Sequence, residues 1–286
     1  MIDVEAGVFG PSAVTLKLEL LQHTGSFKAR GALNALTDAG ELPAAGVVAA
    51  SGGNHGLAVA WAAREVGTTA TVFVPTTAPA TKVAGLRSLG ADVRQVGERY
   101  AEALAAANEQ LARTGAFSVH AYDDAPVVAG QGTVGLELLQ DRPDVDTVLV
   151  AVGGGGLAGG IAAALDGHGH LVGVEPEGCP TWHAARAAGH PVDVEVGGLA
   201  ADALGASRLG QHGYQGLSTA EAESLLVTPG AIAEARRLLW QHLRLAAEPG
   251  GATALAALTS GAYVPSAGER VAVVICGGNA DPTDLV

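Results

Sequence analysis

Cysteine, lysine and long apolar runs are all scarce in this sequence of 286 residues. Its two cysteines, Cys179 and Cys276, cannot build a disulfide framework, which favours a reducing compartment. No apolar stretch is long enough to span a bilayer. The first residues lack the basic start and the apolar block of a secretory signal peptide. These absences predict a cytoplasmic protein without a membrane-spanning segment.

Acidic residues outnumber basic residues, 29 to 16, which gives a formal net charge of −13. A protein of this charge repels the phosphates of nucleic acids and the headgroups of anionic membranes. We therefore expect neither nucleic acid nor a membrane among its partners.

Lysine is the rarer of the two strong cations, since only three lysines stand among the 16 basic residues. One of them, Lys28, follows a strand-like run over 14–20 and precedes a helical run, with Ser26 predicted as the N-cap. The first turn of a helix disfavours an ammonium group, because a helix N-terminus carries partial positive charge. Covalent use of Lys28 as a neutral imine would explain the placement. The alternative is an ordinary surface lysine.

Strand-like apolar runs alternate along the chain with alanine-rich helical runs. Predicted strands cover 14–20, 47–50, 69–74, 92–96, 117–119, 147–152, 171–174 and 271–275. Predicted helices cover 54–66, 80–89, 100–113, 157–165 and 229–244. This alternation indicates βαβ units and parallel sheets, and the 41 glycines fit many tight turns between strand and helix.

A glycine-rich segment follows the predicted strand 47–50 and consists of Ser51, Gly52, Gly53, Asn54 and His55. Free N–H groups at the start of the next helix can bind an anion such as a substrate carboxylate. The amide of Asn54 can donate a hydrogen bond to an oxygen anion. A plain glycine-rich turn capped by Asn54 is an equal alternative.

Four consecutive glycines, Gly153, Gly154, Gly155 and Gly156, follow the predicted strand 147–152 and precede a helix. Such a loop can turn several N–H groups toward one anion, which favours phosphate over a merely flexible turn. The spacing matches neither the dinucleotide motif nor the nucleotide lysine motif, so NAD and ATP are disfavoured.

Two further stretches have weaker signals. The thiol of Cys276, after the predicted strand 271–275, can contact a heterocycle nitrogen, although a small buried residue at a sheet end is the stronger interpretation. We interpret 120–124 together with 130–133 as a polar loop that leads into a helix. An imine-forming lysine, an oxyanion loop and a phosphate loop together indicate pyridoxal 5'-phosphate.

With these motifs in this order, the sequence closely resembles the threonine/serine dehydratase (threonine ammonia-lyase) family of fold type II, tryptophan synthase β-like pyridoxal-phosphate enzymes. The motifs that carry the resemblance span nearly the whole chain: Ser26-Phe27-Lys28, Ser51 to His55, Gly130 to Thr133, Gly153 to Gly156, Gly173 to Pro176, Glu248 to Ala252 and Gly277 to Asn279. The resemblance implies an α/β fold of two domains, with open, twisted, mostly parallel sheets flanked by helices. It implies a large cofactor-binding domain of 1–46 plus 124–286 and a small, mobile domain of 47–123 that binds the substrate carboxylate.

The resemblance also implies a role for each matched residue around the cofactor. Lys28 would hold the cofactor through an imine and remove the α-proton of the substrate. Phe27 would pack beside the cofactor ring, and Asn54 would contact its phenolic oxygen. Gly153, Gly154, Gly155 and Gly156 would bind the phosphate, and Cys276 would face the pyridine nitrogen.

The activity implied is β-elimination from L-threonine or L-serine by a homodimer, giving 2-oxobutanoate or pyruvate plus ammonia. Ser51, Gly52, Gly53, Asn54 and His55 would hold the substrate carboxylate. The alternatives are a dehydratase for 3-hydroxyaspartate or phenylserine, a serine racemase, and a catalytically impaired homologue that still binds the cofactor.

The sequence departs from the family pattern at several positions. Related serine racemases carry a second serine in the slot of Gly52, so racemisation is disfavoured. Metal-binding members have a glutamate followed six residues later by an aspartate, whereas here Thr181 follows Glu175, and we predict no metal site. The family commonly has serine where Cys276 stands. The chain also starts later than the family and ends before its regulatory domain, so we expect no allosteric control and a weakened large domain.

Overall fold

The computed structural model describes residues 1–285, and strands alternate with helices along this length. The strands are β1 (Ile2–Val4), β2 (Val14–Leu18), β3 (Val47–Ala50), β4 (Ala70–Val74), β5 (Asp92–Gln95), β6 (Phe117–Ser118), β7 (Thr147–Ala151), β8 (His170–Pro176), β9 (Glu223–Val227) and β10 (Val271–Ile275). The α-helices are α1 (Lys28–Asp38), α2 (Asn54–Glu65), α3 (Ala80–Ser88), α4 (Tyr100–Thr114), α5 (Ala125–Asp141), α6 (Gly156–Leu165), α7 (Thr181–Ala188), α8 (Ala201–Leu204), α9 (Gln211–Thr219), α10 (Pro229–Leu243) and α11 (Pro249–Thr259). Short 3-10 helices cover Glu19–Leu21, His23–Gly25 and Pro282–Leu285.

The described residues form two compact units, one of 1–27 and 131–285 and the other of 28–130. The first unit has a six-stranded sheet in the order β1-β2-β10-β7-β8-β9. Only the edge strand β1 runs antiparallel to its neighbour. Because the other strands are parallel, the carboxyl ends of β10, β7 and β8 lie at one edge of this sheet. The tetraglycine loop, Cys276 and Glu175 are therefore all placed at or near that edge.

The second unit has a four-stranded, wholly parallel sheet in the order β5-β4-β3-β6. Side chains alternate between its two faces along each strand. Val47 and Ala49 of β3 belong to a core formed with α1, α2 and α3, whereas Val48 packs with Ala103 and Ala107 of α4 on the opposite face. Two covered faces explain why β3 and β4 are apolar runs without alternation.

The observed units divide the chain at 27/28 and 130/131, whereas the resemblance implies divisions at 46/47 and 123/124. The reason is the packing of α1 in the second unit. Ala29, Ala32, Ala35 and Leu36 of this helix are buried in the same core as α2. Whether 47–123 or 28–130 is the functional small domain stays a prediction.

The interpretation of 130–133 as part of a loop is wrong, because these residues lie in the middle of α5. Their glycines allow helices to approach closely. A Cβ atom on Gly130 would lie 2.7 Å from the carbonyl oxygen of Arg30 in α1. A Cβ atom on Gly132 would lie 2.9 Å from the carbonyl oxygen of Gly160 in α6.

No helix within residues 1–285 combines the length and the apolar character that crossing a bilayer requires.

Candidate active site

The tetraglycine loop joins β7 to α6, and three of its carbonyl groups are held by the protein. The carbonyl of Gly153 accepts a hydrogen bond from the Thr181 hydroxyl at 2.5 Å. The carbonyl of Gly154 accepts one from the N–H of Gly210 at 3.0 Å, and the carbonyl of Gly155 accepts one from the N–H of Gly159 at 2.8 Å. A trans peptide directs the next N–H away from its carbonyl. The N–H groups of Gly154, Gly155 and Gly156 therefore face away from these protein partners.

This loop suits a phosphate. Gly155 has a φ of +86°, and a Cβ atom there would lie 2.6 Å from Leu209 Cδ1. A Cβ atom on Gly153 would lie 2.9 Å from the backbone of Leu204. Within the described residues, no protein group accepts a hydrogen bond from the N–H of Gly154 or Gly155. Only glycine fits the two crowded positions, and the free donors lie at the N-terminus of α6, where an anion is favoured.

Cys276 follows β10 and is buried in the first unit. Its thiol lies 3.5 Å from the carbonyl oxygen of Gly250, to which it donates, and its carbonyl accepts from the N–H of Phe27 at 3.1 Å. Phe27 itself is half-buried against the core of this unit. The bond to Phe27 fixes the chain one residue before Lys28.

Ser26 pairs with Gly277 in an isolated β-bridge, and its hydroxyl is buried without a hydrogen-bond partner within 1–285. The prediction that Ser26 caps the helix is therefore wrong. The helix begins at Lys28, so the residue that directly precedes it is Phe27 and not Ser26.

The candidate carboxylate loop, Ser51 to His55, joins β3 to α2. Gly53 occupies the N-cap position, so Asn54 and His55 are the first two residues of α2. The N–H of Gly53 donates to the Ser51 hydroxyl at 3.2 Å. At Gly53 a Cβ atom would meet nothing within 4 Å, so the approach to this helix N-terminus is open. The backbone N–H groups at the start of a helix can bind a carboxylate.

Lys28 is the first residue of α1, as the sequence predicts. Its amine donates to the carbonyl of Ala121 at 2.5 Å. His55 lies in the same neighbourhood and hydrogen-bonds the carbonyl of Val119. Burial lowers the pKa of His55 to about 3, and the positive charge of Lys28 acts in the same direction. His55 is partly exposed to solvent. Because its pKa is lowered from an ordinary value that is already below 7, its ring is neutral at pH 7.

The segment after Ala121 is also ordered by His120. Nδ1 of His120 accepts hydrogen bonds from the N–H of Tyr122 at 3.2 Å and of Asp123 at 2.8 Å. The rings of His120 and Tyr122 meet edge to face, with their centroids 4.9 Å apart. The acceptor for the Lys28 amine is therefore a carbonyl in a turn that its own side chains hold in place.

The backbone contacts of Glu175 and Thr181 were not predicted from the sequence, where this pair indicates only that the glutamate–aspartate pattern of metal-binding members is absent. Glu175 is fully buried, and its carboxyl group accepts from the N–H groups of Trp182 and His183 at the start of α7. The Thr181 hydroxyl lies between this carboxyl group and the phosphate loop. Within residues 1–285, no three His, Cys, Asp or Glu side chains are grouped closely enough to hold a metal ion. A buried glutamate six residues before a hydroxyl side chain is too common to have revealed these contacts.

Known proteins resemble this chain over nearly its whole length. A family model described as pyridoxal-phosphate dependent enzyme matches residues 5–277. L-threonine ammonia-lyase of Geobacter sulfurreducens is 41% identical over 272 residues, covering 94% of this chain and 67% of that protein. Phenylserine dehydratase of Ralstonia pickettii is 39% identical over 275 residues, covering 94% of this chain and 84% of that protein. The crystal structure of a T.th. threonine deaminase has a TM-score of 0.86 at 38% identity, covering 93% of this chain and 87% of that one.

These matches confirm the predicted family, the α/β fold of the type II enzymes and the cofactor. The phosphate loop agrees with this cofactor, because its free N–H groups suit the cofactor's phosphate. The chain belongs to the pyridoxal-phosphate dependent enzymes.

Proposed function

We propose that this protein is an ammonia-lyase that converts L-threonine or L-serine to a 2-oxo acid and ammonia. The observation that carries the proposal is the tetraglycine loop, because the N–H groups of Gly154 and Gly155 have no protein acceptor within the described residues and suit a phosphate. The 41% identity to an L-threonine ammonia-lyase supports this choice of substrate.

When pyridoxal phosphate is bound, the matched residues would hold it. Lys28 would form the covalent link, Gly153, Gly154, Gly155 and Gly156 would bind the phosphate, Asn54 would contact the phenolic oxygen, Phe27 would pack beside the ring, and Cys276 would contact the pyridine nitrogen. Cys276 is buried, and its thiol donates to the Gly250 carbonyl.

Ser51, Gly52, Gly53, Asn54 and His55 bind the substrate carboxylate through backbone donors at the N-terminus of α2. When bound, pyridoxal phosphate supplies an electron sink that acidifies the α-proton of an amino acid. The Lys28 amine takes this α-proton as general base. Neutral His55 adds no second positive charge beside Lys28. The substrate loses its α-proton and its β-hydroxyl as water, and hydrolysis of the C–N bond then releases ammonia and the 2-oxo acid.

A visible spectrum of the purified protein followed by addition of L-threonine tests the proposal. We expect an absorption band of the bound cofactor and formation of 2-oxobutanoate. The control, Lys28→Ala, is expected to lose the band and at least about a hundredfold of the activity, because it removes both the covalent link and the general base. Full turnover in this variant, or a wild-type protein without either signal, would overturn the assignment.

Phenylserine dehydration is the second candidate, and the 39% identity to a phenylserine dehydratase favours it. Parallel assays with L-threonine, L-serine, phenylserine and 3-hydroxyaspartate decide between the candidates through kcat/KM. A cofactor band without any 2-oxo acid from these substrates would favour a racemase or a catalytically impaired homologue.

We further propose that the protein is a cytoplasmic homodimer. Two free, buried cysteines support a reducing compartment. The dimer is the oligomeric state that the family resemblance implies. Light scattering coupled to size exclusion measures the mass in solution, and cell fractionation places the protein. A monomeric mass would contradict the dimer, and secretion would contradict the compartment.

A further inference from the structure

Thr181 is the only side chain among the three groups that hold the carbonyls of the phosphate loop, since Gly210 and Gly159 contribute backbone N–H groups. Its hydroxyl lies 2.5 Å from the Gly153 carbonyl oxygen and 3.1 Å from Oε1 of Glu175. Thr181 itself is fully buried, so water does not compete for these contacts. The orientation of the first peptide of the loop therefore depends on this hydroxyl.

The protonation state of Glu175 decides how many hydrogen bonds the Thr181 hydroxyl can form. The Thr181 hydroxyl has one proton, but both of its neighbours, the Gly153 carbonyl and the Glu175 carboxyl group, are acceptors. An ionised Glu175 competes with the loop for that proton. A protonated Glu175 donates to the Thr181 oxygen, and the hydroxyl then donates to Gly153. Both contacts of the Thr181 hydroxyl are hydrogen bonds at the same time only in the second arrangement.

The surroundings of Glu175 favour the protonated form. Burial raises its pKa to about 7, while the hydrogen bonds from Trp182, His183 and Thr181 lower it. Among the nearby titratable groups, Cys179 is a buried thiol whose pKa is also raised. The ring of His183 is turned to the hydroxyl of Ser224 at 3.2 Å. Neither of these groups forms an ion pair with Glu175.

We propose that Thr181 and Glu175 are positioning residues for the phosphate-binding loop. The Thr181 hydroxyl holds the Gly153 carbonyl, and the Glu175 carboxyl group orients that hydroxyl. This arrangement fixes the orientation of the loop N–H groups that would bind the cofactor phosphate. The inference rests on the proposed function only for the identity of the ligand.

The test measures ligand binding by the full-length, cofactor-free protein, with inorganic phosphate and pyridoxal phosphate as separate probes. Thr181→Val keeps the side-chain shape and removes the hydroxyl, whereas Thr181→Ser keeps the hydroxyl. We expect Thr181→Val to weaken binding of both probes about tenfold, because one buried hydrogen bond is lost. Thr181→Ser is expected to stay within about twofold of the wild type, since it can still donate to Gly153.

Glu175→Gln separates orientation from charge, because its amide can donate to Thr181 at every pH. The amide nitrogen then loses the bond from the Trp182 N–H, a cost that is the same at every pH. We expect this variant to bind both probes as the wild type does at pH 6. At pH 8.5 it is expected to bind several-fold more tightly than the wild type, and the paired comparison cancels the titration of the probe itself. A purely structural role for Glu175 would not give this dependence on pH.

Wild-type affinity in Thr181→Val would overturn the inference. If that variant does not fold, equal pH profiles of Glu175→Gln and the wild type would overturn it instead. Failure of the proposed lyase activity has a different signature, namely phosphate binding that responds to these substitutions in a protein that releases no 2-oxo acid.

Discussion

Glu175 is a buried carboxyl group, and its pKa rises from 4.5 to about 7 on folding because burial disfavours its charge. Between these two values the folded protein keeps a proton that the unfolded chain releases. Its contribution to the free energy of unfolding is therefore complete below pH 4.5 and is lost as the pH rises to 7. The loss amounts to about 3 kcal/mol.

Urea unfolding of the wild type and of Glu175→Gln from pH 4.5 to pH 8 measures this contribution. We expect the free energy of unfolding of the variant, relative to the wild type, to rise by about 3 kcal/mol up to pH 7 and to stay level above it. The difference between the two proteins cancels the titration of all other groups. A difference that does not change with pH would contradict the raised pKa.

Gly52 has room for a side chain, since an added Cβ atom would lie 3.5 Å from Val74 Cγ1 and 4.0 Å from Lys82 Cδ. Gly52→Ser is therefore expected to fold as the wild type does. If serine at this position acts as the second acid and base, as the resemblance implies, the ratio of serine racemisation to dehydration should rise about tenfold or more. Chiral chromatography measures the ratio, and Gly52→Ala is the control. An equal ratio in both variants would mean that Gly52 is not what limits racemisation.

The few lysines of this sequence do not share one role. Lys17 is nearly buried and forms ion pairs with Glu137 and Glu19, so its role is structural. Lys28 was set apart by its place at the start of a helix, which the structure confirms. The free hydroxyl of Ser26 was not predictable, because it depends on a bridge to Gly277, far along the sequence.

Glycines inside helices have two different environments in this protein. Gly132 of α5 faces the backbone of α6, where an added Cβ atom would lie 2.9 Å from the Gly160 carbonyl oxygen. Gly85 of α3 has only the Leu57 side chain nearby, at 3.4 Å. The same substitution should therefore have opposite effects at the two positions.

We expect Gly132→Ala to lower the free energy of unfolding by about 1–2 kcal/mol, because the clash with the Gly160 backbone outweighs the gain in helix propensity. Gly85→Ala is the matched control and is expected to raise stability by up to about 1 kcal/mol. Urea unfolding at one pH measures both. Equal effects of the two substitutions would contradict the close helix contact.

The elements that were predictable from sequence are those with a strong local pattern. Strands such as β3, β7 and β10 are short apolar runs between turn residues, and α2 and α4 have clear helical patterns. In α5, by contrast, local glycines suggest a loop, but packing against neighbouring helices stabilises the helix. Contacts between distant residues decide such cases, and a single sequence does not display them.

At the scale of the whole molecule, one compact unit consists of two separate segments of the chain and the other of one continuous segment. The first unit requires both ends of the chain, because β2 lies beside β10 in its sheet. The second unit is one continuous segment with its own sheet and core. Only the second unit can therefore be expressed as a single uninterrupted fragment.

A comparison of the folding of two fragments, 28–130 and 47–123, tests where this unit begins. The longer fragment keeps α1, which buries Ala29, Ala32, Ala35 and Leu36 in the core of the unit. Loss of that burial costs about 4 kcal/mol, which is a large part of the roughly 5–15 kcal/mol expected for a domain of this size. We therefore expect cooperative thermal unfolding for 28–130 and a largely unfolded 47–123, measured by circular dichroism. A folded 47–123 with the stability of 28–130 would restore the boundary that the family resemblance implies, because α1 would then add nothing to the core that it joins.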